Sequence, residues 1–221
     1  MPDAHAATVA RAPGAPAAGS AHAHDSGAAG APASEAPASA TPASEAPVPG
    51  ARAAGLCAAL ARVETDADIA ALLPLLQAIW REVFYPVIGE AQTEYMLLHY
   101  QSPECIRREI AGGAQYFTVL LGKKPVGYLA YEIREEHLFV SKLYLAAPAR
   151  GIGLSSQLFA LLEKAARQGG RSRLHLHVNR GNEKAIAVYR HKGFQVVGTA
   201  VADIGGGFAM DDYYMEKELP R

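Results

Sequence analysis

Between Thr65 and Phe84 the apolar residues Ile69, Leu72, Leu73, Leu76, Ile79 and Trp80 recur at steps of three and four, which is the spacing of one face of an α-helix. Thr65 or Asp66 can cap that helix, and Pro74 falls inside it, so a kink or a shifted start is expected. EAQTEYMLLHY predicts a second helix. SPECIRREIAGG predicts a third, with Ser102 as its cap, Pro103 at its first position and Gly112 at its end. After Gly113 the character changes to strand. YFTVLL, VGYLAYEI and HLFVSKLYL read as three strands joined by the turns GKKP and REE, an antiparallel meander. The helical step returns with Leu154, Leu158, Leu161, Leu162 and Ala165 and stops at Gly169 and Gly170. LHLHV is a strand, GNEKAIAVYRHKGF a helix with Asn182 near its start and Gly193 at its end, and QVVGTAV and DDYYMEKEL are closing strands. LCAALARV reads as a first strand or a lead-in. Helices, a meander and then a strand–helix–strand crossover predict one α+β domain, a central mixed sheet with helices on both faces.

Composition divides the chain. Residues 1–55 are almost entirely Ala, Pro, Gly, Ser and Thr, contain PASEAP at Pro32 and again at Pro42, and include no aromatic residue. Such a segment buries too little apolar area to offset the entropy of ordering it, so it is expected to be a disordered tail on a domain at 56–221. Pro and Gly interrupt every apolar run in the tail, which argues against an export signal. No stretch of the domain is expected to be long and uncharged enough to span a bilayer. The net charge is −1 with Lys and Arg scattered, so neither nucleic acid nor membrane is expected as a partner. Cys57 and Cys105 show no paired spacing, which fits isolated thiols in a reducing cytoplasm.

The candidate chemistry centres on ARGIGLSS, Ala149 to Ser156, where a strand hands over to a helix. Gly151 and Gly153 remove side chains so that backbone amides can approach a ligand at a helix N-terminus, whose partial positive charge favours an anion; Arg150 adds a full charge. Tight turns share this pattern. A nucleoside triphosphate loop would end in Gly-Lys-Ser/Thr, and a dinucleotide fold would bring a third glycine and a later acidic residue; neither is present.

Arg150-Gly-Ile-Gly-Leu-Ser155 resembles the Arg/Gln-x-x-Gly-x-Gly/Ala pyrophosphate loop of the GNAT superfamily of N-acetyltransferases, with Ser155 where glycine or alanine is usual. The stretch from Asn179 through Asn182, Ala185 and Tyr189 to Gly193-Phe194 resembles that superfamily's second signature. YMLLHYQSPECIRREIAGGAQYF and IGGGFAMDDYYMEKEL resemble the branch that includes bacterial spermidine and spermine acetyltransferases. The resemblance implies an acetyl-CoA-dependent enzyme acting on a primary amine, a polyamine or a protein amine, with a homodimer among its assemblies. The other reading is a binding module that senses acyl-CoA without turnover.

By resemblance, unpaired backbone groups of Leu143, Tyr144 and Leu145 hold the pantetheine arm, with the Leu145 N–H serving the oxyanion. Arg150, Gly151, Ile152, Gly153, Leu154 and Ser155 hold the pyrophosphate. Tyr189 protonates the leaving thiolate, as a phenol of pKa ~10 can for a thiol of pKa ~8.5. Asn182 contacts the donor or caps its helix. The amine's base is open: Glu132 is one candidate and Asp212 the other. His175 and His177 share one face of their strand, but no third ligand is evident and no metal is proposed. Trp80, Tyr85, Tyr95, His99 and Tyr100 are candidates to line an acceptor pocket suited to a cation.

Overall fold

The structure, a computed structural model, describes residues 57–220; the tail expected at 1–55 lies outside them. The first helix, α1 (Asp66–Ile88), starts at the Thr65 cap, where a reciprocal capping box joins Thr65 and Asp68. It runs on through Pro74. Pro74 and Ala70, whose carbonyl loses its donor, are both exposed, so water takes that bond and the helix tolerates the proline. At 23 residues, with an 18-residue window of mean hydropathy 1.2, α1 is by length and composition long and apolar enough to cross a membrane, contrary to the sequence expectation. Here its stripe of Ile69, Leu72, Leu76, Ile79, Trp80 and Phe84 is buried in the protein. Each such side chain contributes about 1.5–3 kcal/mol on burial. α2 (Glu90–His99) follows after Gly89, and α3 (Pro103–Ala111) has the expected Ser102 cap.

β1 (Ala58–Arg62), β2 (Gln115–Leu121), β3 (Lys124–Ile133) and β4 (Leu138–Leu145) form an antiparallel run. A short 3₁₀ turn (Ala147–Ala149) leads to α4 (Leu154–Gln168), β5 (Arg173–Asn179) and α5 (Glu183–His191). β6 (Gln195–Gly205) and β7 (Phe208–Glu218) are longer than QVVGTAV and DDYYMEKEL predict, because they continue to a tight turn at Gly205–Gly207. The strand order is β1-β2-β3-β4-β5-β7-β6, and only β4 and β5 run parallel. One core lies against α4 and α5 and includes Leu143, Leu145, Leu158, Leu176 and Phe194; the other lies against the early helices and includes Leu76, Trp80, Tyr116, Tyr128 and Tyr144.

The β6–β7 turn is docked on α2. The Tyr95 and Tyr100 hydroxyls both donate to Ile204 O, at 2.9 and 2.8 Å. A Cβ on Gly205 or Gly206 would sit 2.6 or 2.7 Å from the Tyr95 ring system, so glycine is what lets the turn lie against that tyrosine.

Candidate active site

The parallel pairing of β4 with β5 covers only Leu138–Val140 against Leu174–Leu176. At the same point β4 bulges: Val140 faces Tyr131 and Lys142 faces Ala130, so Ser141 is the extra residue. The bulge bends β4 away and opens a gap in the middle of the sheet. The Ser141 hydroxyl is buried in it without a hydrogen-bond partner.

Backbone alternation decides which atoms face the gap. Ala146 N–H donates to Val126 O at 2.8 Å, and hydrogen-bonded and non-bonded pairs alternate along an antiparallel ladder. The pair Tyr144–Tyr128 is therefore bonded to β3, while Leu143 and Leu145, opposite Leu129 and Gly127, turn their amides and carbonyls toward β5. This corrects the expectation for Tyr144. Its backbone belongs to the ladder, and its ring stacks on Tyr128 at 5.1 Å, beside Trp80 and Phe84. Leu145 O already accepts from Arg150 Nε at 2.8 Å, leaving its N–H and both groups of Leu143 toward the gap.

A cleft of about 810 Å³ passes through this gap and is lined from both faces of the sheet. On the α4 side, the turn before the helix is held open by Gly151 (φ 75°) and Gly153 (φ 89°), where a side chain would be strained. No side chain caps α4, so its first-turn amides keep the partial positive charge that suits a phosphate. Gly151 and Ser155 line the cleft, Ile152 is 42% exposed, and Leu154 is buried in the core, so only its amide is free for a ligand. The Arg150 guanidinium is held by Glu82 at 2.7 and 3.2 Å, so it braces the turn and its charge is compensated. Lys192, which no motif singled out, donates to Ser156 Oγ and brings a second cation to this turn.

Tyr189 enters the cleft from α5, its ring against Phe159 and Phe194. Burial pushes its phenol up to about 12, so it holds its proton until a strong base forms beside it. Asn182 accepts from Ala185 N at 3.2 Å and caps α5, which gives it the helix-start role; it also lines the cleft.

On the other face, Trp80 and Tyr100 line the cleft as expected. Tyr85, Tyr95 and His99 do not: Tyr85 donates to Glu94 at 2.7 Å, and Tyr95 supports the β6–β7 turn with His99 against its ring. Glu132 pairs with Arg134 at 2.9 Å, and Glu109 with Lys142 at 3.4 Å and with the Tyr116 hydroxyl. His177 and His175 share a hydrogen bond, Nε2 to Nε2 at 3.1 Å, and His175 Nδ1 meets Glu216 at 3.0 Å. The Glu216 carboxylate can only accept, so His175 turns its Nδ1–H toward it and leaves Nε2 to His177. Burial and the neighbouring His175 lower His177 to about 3. Sequence reasoning missed Ser141 and Lys192, because a bulge and a contact with α4 depend on pairing across the fold.

The comparisons agree with this geometry. An uncharacterized N-acetyltransferase of Bacillus subtilis (strain 168), YycN, is 38% identical over 77 residues, covering 33% of this chain and 49% of that protein, so the match spans about half of its length. A PaiA N-acetyltransferase from Thermoplasma acidophilum in complex with coenzyme A shares the fold at a TM-score of 0.62 and 19% identity, over 74% of this chain and 99% of that one. An acetyltransferase from Thermus thermophilus is 26% identical with a TM-score of 0.51, over 74% and 98%. The description of the acetyltransferase (GNAT) family matches residues 73–194, more than half of the 221 residues, and the chain belongs to that family.

Proposed function

We propose that the protein transfers an acetyl group from acetyl-CoA to a primary amine, carried by a small molecule such as a polyamine or by another protein. The observation that carries this reading is the opening of β4 from β5 at Ser141, which brings unpaired backbone groups, an uncapped helix start and the Tyr189 phenol to one cleft. The residues suit the donor. The amides opening α4 face its phosphates, Leu143 pairs with its amide-bearing arm, and the Leu145 N–H is placed for an oxyanion. Acetyl-CoA supplies an activated thioester; the protein supplies orientation, a dry cleft and protons.

Calorimetry with coenzyme A, followed by thiol release from acetyl-CoA across a panel of amines, tests the reading. Binding together with turnover supports it. Binding without turnover on any amine points to an acyl-CoA sensor, and no heat with coenzyme A overturns both.

A further inference from the structure

The acceptor half of the cleft holds a carboxylate that the described residues leave unmatched. Glu82 is held by Arg150, Glu109 by Lys142 and Glu132 by Arg134. Glu183 stands exposed on the first turn of α5. Asp212 lines the same cleft, yet its Oδ1 is buried without a hydrogen-bond partner. Such an oxygen is costly to leave unpaired and calls for a ligand donor.

The groups around Asp212 bring no compensating charge. Asn179 lies opposite on β5 and Ala200 opposite on β6. Burial raises the phenols of Tyr144 on β4 and Tyr214 on its own strand, and the Asp212 charge adds to both. Asp211, the adjacent acid, is taken by Arg180 at 3.3 Å. Burial and then Asp211 raise the Asp212 carboxyl to about 6, so at neutral pH it is an ionised base. Asp212, Tyr144 and Tyr189 all line the one cleft.

The walls describe the rest of the acceptor. Ala202, Ile204, Met210, Met96 and Phe139 give this half an apolar lining. Arg134 lies 3.9 Å over the Phe139 ring and places a positive charge on it. Every further ammonium on an acceptor would need its own carboxylate here, and the other two on this half, Glu109 and Glu132, are already paired, while Glu183 stands on the α5 side.

We propose that Asp212 receives and deprotonates the acceptor's ammonium, and that the acceptor is a monoamine on an apolar body rather than a polyamine; this rests on the acetyl-transfer reading above. One ammonium proton passes to Asp212. The freed nitrogen lone pair forms the C–N bond at the acyl carbon, the C–S bond breaks, and the thiolate takes the Tyr189 proton. The second nitrogen proton restores Tyr189, and Asp212 releases its proton to solvent, so amine and thioester become amide, thiol and one proton.

Thiol release by the full chain is followed with 2-phenylethylamine and with spermidine, from pH 5 to 9, for the wild type, Asp212→Asn and Glu132→Gln. The expected wild-type kcat/KM is at least about tenfold higher for 2-phenylethylamine, with an acidic limb near pH 6. Asp212→Asn is expected to lower kcat about 100-fold, as loss of a general base does, and to abolish that limb while binding coenzyme A within about twofold. Glu132→Gln is expected to keep the limb. A preference for spermidine, an unchanged limb in Asp212→Asn, or more than half of the wild-type kcat in that variant overturns the proposal with acetyl transfer intact. Should Asp212→Asn fail to fold, the wild-type preference and limb decide. Coenzyme A binding without turnover on any amine overturns the transferase reading and this proposal with it.

Discussion

The two faces of the sheet build their halves of the cleft from different materials. Toward α4 and α5 the site is mainly backbone: the amides opening α4, and the Leu143 and Leu145 groups released by the bulge. Toward α1 it is side chains from separate elements: Trp80 and Phe84 from α1, Tyr100 after α2, Glu132 and Arg134 at the end of β3, His177 on β5 and Asp212 on β7. A backbone site reads a feature every acyl-CoA shares and tolerates side-chain change. A side-chain site carries the selectivity and is free to diverge.

That contrast can be broken at its hinge. Deleting Ser141 removes the bulge, lets β4 stay with β5 and closes the gap; turnover is expected to fall by more than about 100-fold together with coenzyme A binding, since misplacement of about 1 Å costs that much. Loss of binding by calorimetry in a chain that still melts cooperatively would show that the gap itself is the donor site. Tyr189→Phe separates chemistry from binding. Its kcat is expected to drop about 100-fold with the donor's affinity kept, and an unchanged kcat would remove the phenol from the mechanism.

Smaller effects test whether the faces are independent. Arg150→Ala leaves Glu82 uncompensated beside the phosphate turn and frees the Leu145 carbonyl, so coenzyme A should bind about tenfold more weakly, about 1.4 kcal/mol, with amine KM unchanged. Asp212→Asn should raise stability, the opposite of its effect on activity. The folded-state carboxyl titrates higher, about 6 against a reference of 3.8, so the folded state favours the protonated form. The resulting penalty is absent below pH 3.8, grows toward pH 6 and is complete above it; after allowance for partial burial the asparagine variant is expected to gain about 1–2 kcal/mol at pH 7 and nothing at pH 3.5. Urea unfolding at the two pH values measures this. Gly206→Ala pushes against Tyr95 and strains a φ of 64°; it should cost about 1 kcal/mol and raise the amine KM while donor affinity holds.

Element types were legible because their signals are local. The Thr65, Ser102 and Asn182 caps, the apolar runs of the meander between its turns and the helical step from Leu154 are written in adjacent residues. The turn at Gly151 and Gly153 is equally local, which is why ARGIGLSS marked the start of α4. The reach of the last hairpin was not local: the strands expected at QVVGTAV and DDYYMEKEL run on to the turn at Gly205–Gly207, which is held by tyrosines more than 100 positions earlier. The aromatic positions of the early helices gave mixed results for a related reason. Trp80, Tyr85, Tyr95, His99 and Tyr100 all carry rings, but helix rotation and the position of the β6–β7 turn decide which of them face the cleft.

By itself the amino-acid order determined the helices, the strands, the family and the glycine turn that opens α4, because each depends on steric and hydrogen-bonding preferences acting over a few neighbouring residues. Tertiary structure alone decided that Arg150 turns to Glu82, that Tyr144 gives its backbone to β3, and that Glu132 is neutralised while Asp212 is left unmatched. Charge pairing depends on distance in space, and only the folded sheet brings β3, β4 and β7 close enough to settle which acid goes without a cation.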